Sequence, residues 1–132
     1  MSLIDTLSTV TSSTVGVALD ALSLRQQLIA ANLANANSAQ SSVYRVSFED
    51  ALRRELEHSA SQPASEVLGK LSELRRNLNA GAYITESPST GVEIDQEMIQ
   101  LNETVIRYQA LIQGIGKYSS LARMAISGEV KS

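Results

Sequence analysis

Catalysis needs a nucleophile, a well-placed proton donor or acceptor, or a bound metal, and this chain is poor in residues that supply them. It contains no cysteine, which excludes thiol nucleophiles, disulfides and thiolate zinc sites together. The one histidine, His58, closes the polar run Glu55, Leu56, Glu57, His58, and a lone histidine builds no multi-histidine metal site. Neither a nucleophile nor an orienting acid accompanies it in sequence. At the end of a short helix it would instead offset the terminal carbonyl groups. Glu93, Asp95, Glu97 and Glu103 offer carboxylates to a divalent cation. Helical spacing scatters most of them around the circumference, and no glycine-containing calcium loop goes with them, so they read as an acidic helix start. Gly114 and Gly116 fall inside a helical pattern rather than after a strand, which argues for a bend or a close helix approach and against a phosphate cradle. Arg53, Arg54, Arg75 and Arg76 are balanced by Glu49, Asp50, Glu55, Glu57, Glu66 and Glu73, the pattern of a solvated helix face. The chain is therefore expected to be no enzyme and to bind no cofactor and no metal.

The segment from Ala30 to Asn37 has a different character. Ala30, Ala31, Ala34 and Ala36 strip the surface down to backbone, while Asn32, Asn35 and Asn37 place amides along it. Small residues permit close approach, and each asparagine presents two donors and an acceptor. Asn35 or Asn37 would equally serve to end a helix in the left-handed conformation. Asn32, a turn earlier, is not explained by a cap.

Long helices must position these groups. Leu3, Leu7, Val10, Thr14, Val17, Ala21, Leu24, Leu28 and Ala31 alternate spacings of four and three, a heptad seam. Val15, Leu19, Leu22, Ile29 and Leu33 widen it, so this helix is expected to have partners on more than one side. Its serine- and threonine-rich first turns are expected to fray. Ile94, Met98, Leu101, Val105, Tyr108, Ile112 and Ile115 repeat the seam near the other end, with Leu111, Tyr118, Leu121 and Ala125 on the adjacent stripe. Thr90 and Glu93 resemble a capping box, and Gly128 followed by Lys131 a stop. Between the seams, residues 38–42 read as a polar linker. Ser47 and Asp50 read as caps of a short helix through Phe48, Leu52 and Leu56. Ser59 to Ser65 reads as a connection, and Val67, Leu71, Leu74 and Leu78 as one face of a second short helix. Residues 80–91 read as a loop holding a short extended piece at Tyr83 and Ile84. The fold class expected is all-α: long N- and C-terminal helices packed as a coiled-coil-like hairpin, with short helices and loops between them. Residues 1–37 and 92–132 would share one structural domain, with 38–91 as the intervening part.

Composition agrees with helices that share their apolar surface. The 132 residues are 43% apolar but only 4% aromatic, with no tryptophan, and the net charge of −3 disfavours a basic nucleic-acid-binding face. No apolar run is long enough to span a bilayer, and the N-terminus lacks the pattern of a cleaved signal. Pairing the two seams still leaves apolar stripes uncovered, an incentive to associate.

Residues 25–52, RQQLIAANLANANSAQSSVYRVSFEDAL, and 91–129, GVEIDQEMIQLNETVIRYQALIQGIGKYSSLARMAISGE, resemble the flagellar basal-body rod proteins. The match falls on Asn32, Ala34 and Asn35, on Tyr44 and Phe48, and on Val92, Glu97, Met98, Asn102 and Tyr108. Where that family has a Thr-Pro-Gly-Tyr turn, this chain has Ser38 and then residues 39–43 before Tyr44, a longer turn without proline or glycine. Residues 58–89 carry no family pattern. The resemblance implies a structural subunit of the proximal rod in the periplasmic space, exported by the flagellar type III apparatus without a cleaved signal peptide. It implies a helical tube that transmits torque and lines the export channel. Its partners would be other copies of itself, other rod proteins and the MS-ring adaptor protein FliE, with no nucleic acid and no membrane insertion. The assembly interface would lie at Leu24, Leu28, Asn32, Leu33, Asn35, Tyr44, Phe48, Ile94, Met98, Leu101, Asn102, Val105, Tyr108 and Ile112. A type III secretion rod component and a helical adaptor that never polymerises are the alternatives.

Overall fold

Helical periodicity dominates the chain, and its computed structural model, which describes residues 3–37, 42–59, 61–88 and 94–128, is mostly helical. In chain order the elements are α1 (Leu3–Ala34), β1 (Ser42–Val46), α2 (Glu49–Ser59), α3 (Ala64–Asn79), β2 (Ile84–Pro88) and α4 (Ile94–Ser127). At 1.5 Å per residue the two long helices measure about 48 and 51 Å. α1 is helical from Leu3. α4 ends at Ser127, and Gly128 adopts a φ of 68°, the stop that the sequence predicts. The Thr90 and Glu93 capping pair, Val92, residues 38–41 of the linker and Lys131 lie outside the described residues.

The core is built on α1. Val17 packs with Val67, Leu71 and Leu74 of α3, and Ala21 with Val46, Phe48 and Leu78. Val10 joins the first group, and Leu24 and Leu28 the second. The heptad seam of α1 is thus occupied by α3 and the strand region, not by α4 as a simple pairing of seams would have it. α3 explains why: its buried side chains are Val67, Leu71, Leu74 and Leu78, the face predicted from their spacing. Each such side chain contributes about 1.5–3 kcal/mol when fully buried, and α1 is the surface that buries them. α4 lies along another side of α1 and runs antiparallel to it. Asn32 near the end of α1 meets Glu97 near the start of α4, while Leu22 shares a cleft with Arg107, Ala110 and Leu111.

Two strands correct the all-α expectation. β1 and β2 pair antiparallel, with Ser42 opposite Pro88 and Val46 opposite Ile84, and the Ser47 N–H extends the pairing by donating to the Tyr83 carbonyl at 3.0 Å. Ser47 is therefore no helix cap. α2 starts at Glu49, whose carboxylate accepts the Phe48 N–H at 3.2 Å, and Phe48 lies just ahead of the helix with its ring buried. The expected extended piece at Ile84 is real and longer, and it is aimed by the end of α3. There Gly81 has a φ of 85°, the Ala82 N–H reaches the Asn77 carbonyl at 3.0 Å and the Gly81 N–H reaches that of Leu78 at 3.1 Å. This pair of bonds is a Schellman cap, which calls for the left-handed residue that glycine supplies.

Candidate functional site

The residues brought together from the greatest distance in sequence meet where the end of α1, β1 and the start of α4 converge. Asn32 is 0% exposed, and its carboxamide engages the backbone of Tyr44 twice: Nδ2 donates to the carbonyl and Oδ1 accepts the N–H, each at 3.0 Å. The same Nδ2 donates to Glu97 Oε2 at 3.3 Å. Arg45 completes the cluster, its Nη1 donating to Glu97 Oε2 at 3.1 Å while Nη2 pairs with Oε1. Glu97 is 2% exposed. Burial pushes its carboxyl up, but hydrogen bonds from Arg45 and Asn32 and the charge of Arg45 outweigh that and hold it below its ordinary value of 4.5. The acidic helix start read from the sequence thus includes one carboxylate that is not solvated. A buried charge with this many charge-assisted partners is a fixed structural tie, because removing any partner strands the others.

A second tie lies two turns back along α1. Arg25 donates to the Val46 carbonyl at 3.0 Å, pairs with Glu49 and places its guanidinium carbon 5.4 Å from the centre of the Phe48 ring. Burial raises the Glu49 carboxyl, and the Arg25 hydrogen bond and charge, with backbone donors, bring it below its ordinary value. Neither Arg25 nor Arg45 stood out from the sequence as a site residue. One signal was present: Arg45 is the sole charged residue between Arg25 and Glu49, and an isolated charge in an uncharged run asks for a counter-charge from elsewhere in the fold.

Of the expected interface residues, Asn32 and Phe48 are buried; Leu24, Leu28, Leu33, Tyr44, Leu101, Val105 and Tyr108 are half-buried; Asn35, Ile94, Met98, Asn102 and Ile112 are exposed. The structure brings Asn32 and Tyr44 into contact and gathers Leu24, Leu28 and Phe48 around Ala21. Asn35 and Asn102 are not part of either tie. Asn35 closes the end of α1, its backbone and side-chain N–H groups both donating to the Ala31 carbonyl, at 3.1 and 3.0 Å. The two readings of the asparagine run therefore divide: Asn35 ends the helix, though not in the left-handed conformation expected, since no described residue other than glycine has a positive φ, and Asn32 joins the helix to a strand.

His58 is exposed at the end of α2 with Nδ1 2.7 Å from the Arg54 carbonyl oxygen, the terminal-carbonyl role expected of it. Arg53 pairs with Asp50 at 3.0 Å on an exposed face, and Arg75 reaches across to Asp20 of α1. A Cβ built on Gly114 or Gly116 would meet nothing within 4 Å, so among the described residues no other element makes a close approach there. Among the described residues no group of three or more histidine, aspartate and glutamate side chains is placed to hold a metal ion, and no helix is long and apolar enough to cross a membrane.

The remaining surface feature is apolar. Ile94, Met98, Ile99, Ile106, Ile112, Leu121 and Met124, all on α4, are exposed, and Leu56 of α2 is the one other large apolar side chain in that state among the described residues. A cleft of about 730 Å³ opens beside them, floored by Leu22, Phe48, Leu52, Leu56 and Leu111. No protein-family model and no curated protein matches the chain.

Proposed function

We propose that the chain is a structural subunit of the bacterial flagellar basal-body rod, of the proximal type FlgB, with its relative FlgC as the alternative within that family. In this reading α1 and α4 form the coiled-coil-like core of the rod, and copies associate through them into a helical tube that transmits torque and lines the export channel. The observation that carries it is the uncovered apolar face of α4. Seven large apolar side chains in water along one helix are a strong incentive to associate, and no other described element covers them. The residues behind the family resemblance add support, since Asn32, Tyr44 and Glu97, matched in two separate stretches, belong to one hydrogen-bonded cluster. The subunit would work in the periplasmic space of the basal body after type III export without a cleaved signal peptide, beside other rod proteins and the MS-ring adaptor. The test is genetic. Met98→Asp and Asn35→Leu each change an exposed residue, so both variants should be produced at normal levels and fail in rod assembly and swimming. Normal motility with either would overturn the proposal.

A further inference from the structure

The cleft and the apolar ridge of α4 adjoin, Arg107 and Ala110 of the cleft wall following Ile106 of the ridge. We infer that the cleft between α1, α2 and α4 receives the N-terminal half of α4 from a second copy of this chain.

Ile99 and Ile106 are 58% and 65% exposed. Two turns apart, they project from the same side of the helix at a separation of about 10 Å along the axis. Asp95 and Glu103, each one turn from an isoleucine, are exposed and have no ion-pair partner among the described residues. The ridge is therefore apolar with acidic shoulders. The cleft has an apolar floor and a rim of Arg25, Arg53 and Arg107 together with Glu49 and Glu57. Arg25 is committed to Glu49, and Arg53 to Asp50 and Glu57. Arg107 has no such partner among the described residues, its nearest carboxylate in sequence being Glu103 one turn back. An incoming ridge would bury Ile99 and Ile106 on Leu52, Leu56 and Leu111 and bring a carboxylate to Arg107, satisfying both surfaces at once. Ridge and cleft adjoin, Ile106 lying one turn before Ala110 of the cleft wall, but they are not the same patch, so a ridge meets a cleft and not a second ridge. The inference rests on the self-associating reading above and gives that association a geometry.

A chain without cysteine makes the test direct. Ile106→Cys and Leu56→Cys variants, purified separately and checked for wild-type helicity, are mixed under oxidising conditions. The mixture should give disulfide-linked dimer several-fold above either variant alone. Equal cross-linking by Ile106→Cys alone would mean ridge against ridge and would overturn the inference. So would absence of any cross-link while the unmodified chain sediments as oligomers, an outcome that leaves the self-associating reading standing. A chain that stays monomeric at every concentration would overturn both. A second measurement uses charge. Glu103→Arg or Arg107→Glu should each weaken self-association about fivefold, and mixing the two variants should recover it, because the reversed ridge of one then meets the reversed cleft of the other.

Discussion

α1 and α4 are nearly equal in length and carry the same alternation of threes and fours, yet they are used in opposite ways. α1 is enclosed by α3, β1 and α4, whereas α4 leans on α1 and keeps a row of isoleucines, leucine and methionines in water. A heptad seam states that a partner exists without stating which one. Here the intervening segment, which has its own apolar face to bury, takes the seam of α1 and leaves that of α4 half covered. On the self-associating reading proposed above, stability and association fall on different helices, and substitutions should separate them.

The largest effect is expected in the shared core. Leu71→Ala or Leu78→Ala, each removing a side chain only 1% exposed, should lower unfolding free energy by about 2–5 kcal/mol in urea titrations. A loss below about 1 kcal/mol would mean that α3 does not hold α1. Next comes Asn32→Ala, which leaves both backbone groups of Tyr44 and one Glu97 oxygen without this partner. A cost of about 2–3 kcal/mol is expected, together with faster amide exchange at Tyr44. The third effect is pH-dependent. The Glu97 carboxyl is held below 4.5 in the folded chain, so its contribution is fully present above that value and is lost as pH falls through the folded titration point. Melting temperature should therefore drop with acidification below about 4.5 more steeply in the native chain than in Glu97→Gln. Parallel curves would remove Glu97 from the acid response. A smaller change, of opposite sign, is expected from Gly114→Ala, which should stabilise α4 by about 0.5–1 kcal/mol, since its Cβ would meet nothing within the chain. Smallest of all, Ile106→Lys should stay within about 0.5 kcal/mol of the native stability while abolishing self-association in sedimentation. Equal damage to both readouts would erase the division between the helices.

What could be read from sequence follows the same division between local and distant determinants. The buried face of α3 and the stop at Gly128 depend on periodicity and backbone preference within a few residues, and both are legible. Of the strands only the piece at Ile84 is legible, because they are short and their pairing joins residues far apart in the chain. Along β1 only Val46 is fully buried, so no clean alternation marks it, and β2 ends in the exposed Glu86, Ser87 and Pro88. At the site, Asn32 stood out because a cap could not explain it. Glu97 read as one acid among several, since its partner Arg45 lies 52 residues away and ion pairing leaves no periodic trace.

The grip of Asn32 on Tyr44 has one more consequence. With β2 occupying one side of β1, the peptide groups that point the other way are an open edge, the kind on which strands of other molecules add themselves. Asn32 presents to Tyr44 the donor and acceptor that a neighbouring strand would offer, and Arg25 takes the Val46 carbonyl. A helix thus stands in for the missing strand and blunts the edge of β1, so that a strand added there would have to displace Asn32 and Arg25.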